Sequence, residues 1–197
     1  NSYFKSDAAG DINRFLKDYI PKYNASKDRG YISFMTCNHD TPRPRYTLSE
    51  DELKIAYAFI FTMPGVPFLY YGDEIGLDYV ADIPTKEGGY TRTGSRTPMQ
   101  WTDGLNAGFS KAASPELYLP VQTEELVGKH LGFKYGNVGK SAEYSGNCDE
   151  PEHGKDIKPI KGDEMWKMIS VESVKEDKNS LYNVVKSIIA RRHCEED

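Results

Sequence analysis

His39 and Asp40 stand side by side just after the apolar run YISFMTC (31–37), and Arg43 follows three residues beyond Asp40. A second acidic pair, Asp73-Glu74, comes just after another apolar run, VPFLYY (66–71). Carboxylates and an imidazole at the mouths of buried strands suit acid–base work and the stabilisation of transition-state charge. The same residue types also build ordinary loops, because Asn38 and Asp40 are good formers of Asx-turns that bond loop amides. Arg43 reads either as a partner for a site carboxylate or as a surface cation between prolines. Residue type leaves both readings open, so the elements that carry these residues must decide.

Ile12, Phe15, Leu16 and Tyr19 recur at i, i+3, i+4 and i+7, which predicts an amphipathic helix that stops at Pro21. YISFMTC is nearly continuous in apolar character, the pattern of a strand covered on both faces. Ser49 and Glu52 form a capping box, in which each side chain satisfies backbone N–H groups that the helix leaves free. From Leu53 to Met63 the segment is apolar on most sides and predicts a largely buried helix, ended by Pro64-Gly65. VPFLYY then predicts a second strand, closed by Gly72.

Strand, buried helix and strand make a βαβ unit, with the two strands parallel and the crossover right-handed. Reactive groups in parallel sheets gather at the carboxyl ends of the strands. Residues 38–40 and 72–74 therefore fall on one face of the sheet, which favours a site. Farther on, Leu181, Val184, Val185, Ile188 and Ile189 form one helical stripe, capped by Asn179 or Ser180, with Arg191-Arg192 near its negative end. The chain between Asp78 and Met168 reads as mostly irregular, and its length predicts some functional or locally helical part. No internal repeat is present.

Composition narrows the function classes. The 197 residues carry a net charge of −5 with interspersed signs, unlike the clustered basic surface of a nucleic-acid binder. No apolar run reaches the roughly 18 residues that span a bilayer, and the first residues lack a signal-peptide pattern. Three cysteines at unrelated spacings (Cys37, Cys148, Cys194) fit a reducing compartment, hence a cytoplasmic expectation. His153 lies five residues after Cys148, but two ligands do not make a zinc site, and neither metal nor cofactor is expected.

Five stretches in order carry a resemblance: FMTCNHDTPR (34–43), FTMPGVPFLYYGDEIGL (61–77), SRTPMQW (95–101), NAGFS (106–110) and LYLPV (117–121). Together they resemble the α-amylase superfamily of retaining glycoside hydrolases and transglycosylases, most of all its α-glucosidase, oligo-1,6-glucosidase and trehalose-synthase branch. The resemblance implies an α/β fold, the C-terminal portion of a (β/α)8 TIM barrel. Residues 1–121 would run from barrel helix 6 to strand 8 and its following loop. Residues 122–168 would be a long insertion, residues 169–197 the last barrel helix, and no C-terminal β-sandwich domain is expected.

The resemblance also implies roles. Asp40 matches the carboxylate that stabilises the oxocarbenium-like transition state, and His39 matches the residue that bonds hydroxyls of the sugar being cleaved. Arg43 is a candidate substrate-binding residue. Asp73 and Glu74 are expected mainly to order their loop, and Arg96, Gln100 and Trp101 to shape the cleft wall. The implied partner is an α-glucoside or starch-derived oligosaccharide.

Double displacement also needs an Asp nucleophile and a Glu acid/base. The nucleophile motif G-x-R-x-D does not occur in these 197 residues, and DRGYI (28–32) does not match it. The chain is therefore expected to be inactive alone and to need either the missing N-terminal part of the barrel or self-association. A trehalose-synthase-like transglycosylase fragment is one alternative, and a non-catalytic carbohydrate-binding or scaffold protein is the alternative from another class.

Overall fold

Asp11 starts the first helix by accepting a hydrogen bond from the Asn13 amide (2.9 Å), satisfying one of the donors that every helix start leaves free. In the computed structural model, which describes residues 11–81, 83, 91–123, 126–127 and 169–194, helix α1 covers Ile12–Ser26. It runs through Pro21, where a stop was predicted. A proline inside a helix forfeits one backbone bond and crowds the preceding turn. Here the next turn is held by Tyr23, stacked 5.6 Å from Tyr19, and by the closing bond from the Lys27 amide to the Tyr23 carbonyl (2.8 Å). Tyr19 is the buried anchor of α1, and its hydroxyl donates to the Pro64 carbonyl at 2.7 Å.

Strand β1 covers Ser33–Met35 and strand β2 covers Val66–Phe68. They pair in parallel, with Ser33 opposite Val66, Phe34 opposite Pro67 and Met35 opposite Phe68. Between them lies helix α2, Glu50–Thr62, which begins with both hydrogen bonds of the predicted Ser49–Glu52 capping box. The βαβ reading therefore holds, with strands shorter than the apolar runs that suggested them.

Alternate residues share a face of a strand, and the two faces differ here. Phe34 packs towards the core formed by Leu53, Tyr57, Ile60 and Phe61 of α2. On the opposite face Met35 (52% exposed), Val66 (42%) and Phe68 (53%) have no cover among the described residues. The double-sided burial implied by the apolar runs is thus realised on one side only.

A short helix α3, Val171–Val174, leads to helix α4, Leu181–Cys194. Leu181 and Val185 enter the α2 core, joined at its edge by Ile188 and Ile189, as the stripe predicted. Ser180 caps α4 by accepting from the Asn183 amide at 3.3 Å. Arg192 reaches back across the fold and donates to the carbonyls of Phe61, Met63 and Gly65, which closes the free end of α2. Most of the proposed 122–168 insertion, with the short helix suggested by EELVGKHLGF, lies outside the described residues.

Candidate active site

The backbone leaves β1 through Thr36 and Cys37 and turns at Asn38. The Asn38 carboxamide accepts from the Asp40 amide at 2.9 Å, and the Asn38 amide donates to the Thr41 hydroxyl at 3.0 Å. The Asx-turn that the sequence allowed is thus built by Asn38. The Asp40 carboxylate is left out of the loop's own bonding and faces outward, its side chain 47% exposed.

Three cationic or polar groups converge on that carboxylate. Arg96 donates from Nη2 to Asp40 Oδ1 at 2.9 Å, Arg92 from Nη1 to the same oxygen at 3.3 Å, and His39 Nε2 lies 3.3 Å from Oδ2. Arg96 also donates from Nε to the His39 carbonyl at 3.0 Å, and the Ser95 hydroxyl bonds the Thr41 carbonyl. The 91–97 segment is therefore fastened to the 38–41 turn at several points. A carboxylate held this way needs little rearrangement before it can stabilise positive charge. Arg92 was not foreseen, and Arg96 was expected only as cleft wall. Two arginines four residues apart in a Thr/Gly loop were the one available signal, since nothing local ties them to a carboxylate more than fifty residues upstream.

Arg43 requires a correction. It was a candidate for binding substrate, but it is 1% exposed and its side chain points away from the His39–Asp40 cluster into the fold. Its Nη1 donates to Asp73 Oδ1 at 2.8 Å and to the Tyr71 carbonyl at 2.6 Å. The adjoining Tyr70 and Tyr71 rings lie 4.7 and 4.9 Å from its guanidinium carbon, two cation–π contacts. A charge this deep persists because an opposite charge sits beside it. Arg43 thus pins the β1 turn to the β2 turn and leaves no exposed atom for a ligand.

Asp73 is correspondingly structural, as expected. Burial pushes its carboxyl above the ordinary carboxylate range while Arg43 pulls it back, and the Cys37 thiol donates to it at 3.0 Å. Burial, with Asp73 beside it, pushes the Cys37 thiol up as well, so this cysteine is a poor nucleophile. Glu74 is also pushed up by burial. Gly72 and Gly76 bracket the Asp73–Ile75 turn at φ +84° and +76°, a backbone geometry that glycine adopts without strain.

The 95–101 stretch does more than form a wall. Gln100 accepts from the Gln122 amide (2.7 Å) and donates to the Ile169 carbonyl, and Gln122 in turn bonds both backbone groups of Asp78. Trp101 sits half exposed beside a cleft that also involves Tyr71 and Arg96. Among the described residues no group of three or more His, Cys, Asp or Glu is placed to hold a metal ion.

A family profile described as the alpha amylase catalytic domain matches residues 5–127. The chain belongs to the alpha-amylase family. Curated relatives of this alpha-amylase family chain include the trehalose synthase/amylase of Mycolicibacterium smegmatis, 40% identical over 41% of the chain. Maltase A2 of Drosophila melanogaster is 35% identical over 50% of it. An amino acid transporter heavy chain of Mus musculus is 35% identical over 41%. These matches cover 12%, 17% and 12% of the relatives' own lengths, so the chain corresponds to a small part of each. Among solved structures, the trehalose-6-phosphate hydrolase of Bacillus licheniformis superposes with a TM-score of 0.58 at 20% identity, over 91% of this chain and 30% of that one. That likeness supports the barrel-type catalytic-domain fold.

Proposed function

We propose that the chain is the last part of the (β/α)8 catalytic barrel of a retaining enzyme acting on α-glucosides, and that it supplies one of the three catalytic carboxylates. The observation that carries this reading is the Asp40 carboxylate, half exposed at the carboxyl end of a parallel strand and fixed by Arg96 at 2.9 Å. In this role Asp40 faces the sugar ring as positive charge develops at its anomeric carbon, and the bonds it makes tighten at that moment. His39, on the neighbouring position, bonds a ring hydroxyl. Arg96 positions Asp40, and hydrolysis is favoured over transfer to a second sugar.

The nucleophile and the acid/base belong to the remainder of the barrel. The uncovered face of Met35, Val66 and Phe68 supports this, because side chains of opposing strands fill the interior of a closed barrel. The test pairs the 197-residue chain with the preceding barrel segment of its full gene product and assays chromogenic α-glucosides. The chain alone should show no turnover above background, and the completed barrel should be active. Asp40→Asn should then lower kcat by about 10³-fold or more, equivalent to about 4 kcal/mol of lost transition-state stabilisation. A loss of only a few-fold would reduce Asp40 to a loop-ordering residue.

The heavy-chain relative favours a second reading, a catalytically silent alpha-amylase-type domain within an assembly. The completed barrel would then bind sugar without turning it over.

A further inference from the structure

We propose that Ser95 and Tyr71 are positioning residues for the Asp40 carboxylate: their hydroxyls pin the chain on either side of Arg96, and Arg96 then has one place in which to hold Asp40. The proposal rests on the reading of Asp40 as the carboxylate that stabilises the transition state, and it adds the groups that decide where that carboxylate stands.

An arginine side chain has several rotatable bonds, so its guanidinium fixes a partner only as well as its own backbone is fixed. The backbone is anchored on both sides of Arg96. Before it, the Ser95 hydroxyl donates to the Thr41 carbonyl, in the same turn that carries Asp40. After it, the Thr97 carbonyl accepts from the Tyr71 hydroxyl at 2.8 Å. Ser95 and Thr97 are wholly buried, whereas Arg96 reaches out between them to the half-exposed carboxylate.

The two anchors come from different strands. Thr41 lies in the turn that follows β1, and Tyr71 in the turn that follows β2. The first therefore ties Arg96 to the loop whose carboxylate it holds. The second ties it to the buried Arg43–Asp73 pair, because the Tyr71 carbonyl accepts from Arg43 at 2.6 Å. A third support lies behind the segment, where Gly94 sits so close to the Val80 carbonyl that a β-carbon would collide with it. Held in this way, Arg96 places Nη2 at 2.9 Å from Asp40 and Nε at 3.0 Å from the His39 carbonyl. Placement matters for rate, since an error of about 1 Å in a catalytic group can cost about 100-fold.

Each anchor can be removed by deleting one oxygen, as Ser95→Ala and Tyr71→Phe. Thr41 is exposed, so water can replace the lost Ser95 donor and the fold should survive the change. Two measurements separate placement from chemistry. In the 197-residue chain, arginine side-chain 15N NMR reads the Arg96 Nε–H, assigned by its loss in Arg96→Lys. Its hydrogen exchange should be at least about tenfold faster in each variant than in the wild type, with thermal melts shifted by no more than about 4 °C. In the completed barrel, each variant should lower kcat by about tenfold and leave KM within about twofold, the pattern of an interaction realised in the transition state. Neither should lower kcat further in an Asp40→Asn background, where there is no charge left to place. Unchanged Arg96 exchange in both variants would overturn the proposal and leave the reading of Asp40 standing. So would a rise in KM with kcat unchanged, or an equal loss of kcat with and without the Asp40 carboxylate. If Asp40→Asn alone costs only a few-fold, the reading of Asp40 falls and takes the proposal with it.

Discussion

Replacing Arg43 with methionine should destabilise the chain more than any surface change, and the loss should depend on pH. Both Arg43 and Asp73 have side chains with no solvent exposure, and their charges meet at 2.8 Å. Methionine fills much of the space but leaves the Asp73 carboxylate with the Cys37 thiol at 3.0 Å and the Thr36 hydroxyl at 3.5 Å, neither of them a cation. Removing one member of a buried pair costs about 3–5 kcal/mol, since the other charge stays desolvated. For a chain of this size that corresponds to a drop in Tm of roughly 6–20 °C.

The sign with pH follows from the direction of the Asp73 shift. Its carboxyl is already raised above the ordinary 3.8 by burial, and losing the opposing pull of Arg43 raises it further. Between the unfolded and folded values the native chain holds a proton that the unfolded chain has released. Stability therefore falls as pH rises through that window. The deficit of Arg43→Met should be largest at neutral pH and shrink as pH falls towards the ordinary carboxylate value. Adding Asp73→Asn should recover much of it and flatten the pH dependence. Urea unfolding followed by circular dichroism at pH 5 and pH 7.5 measures both. A loss below about 1 kcal/mol, or the same loss at both pH values and in the double variant, would refute the buried-pair argument.

Gly65→Ala should cost at least about 2 kcal/mol, because φ is +149° and the new methyl would press into the Ile32 carbonyl oxygen and, at 2.7 Å, the Phe34 ring. An unchanged thermal melt would mean the β2 entrance relaxes freely. Arg192→Met should lower stability by about 2–3 kcal/mol, since three carbonyls at the end of α2 lose a charged donor. A urea midpoint shifted by less than a quarter of that would assign Arg192 to the surface. The chain at low micromolar concentration should sediment above its 22.3 kDa monomer mass, because Met35, Val66 and Phe68 expose an apolar strip beside open strand edges. A compact monomer with a cooperative melt would show that the rest of this chain covers that face.

The β1–α2–β2 core was legible because its signals are local and redundant. Two apolar runs, a capping box and a Pro-Gly stop all fall within a few residues of the features they specify. The Asn38–Asp40 turn was legible in kind, although residue type alone could not assign the turn to Asn38 and the outward-facing carboxylate to Asp40. The partners of the arginines were not legible. Arg43, Arg92 and Arg96 carry the same charge in similarly polar loops, yet one is buried against Asp73 while two reach Asp40, and only the tertiary path of the chain separates them. Pro21 misled for a related reason. Its local preference to stop a helix was outweighed by the Tyr19–Tyr23 stack and the anchoring of Tyr19 on Pro64.

Gln100 has an effect beyond the wall it belongs to. Its single carboxamide holds Gln122 through one atom and Ile169 through the other, so the chain departs and returns at almost the same point. Whatever lies between is a closed excursion, and the entropy of closing one grows only logarithmically, by about 0.6 kcal/mol for each doubling of length. Evolution can therefore lengthen, shorten or rewrite that excursion with little thermodynamic consequence for Asp40. The amide acts as a clasp, and it makes this point in the chain a natural port for grafting new sequence onto an old scaffold.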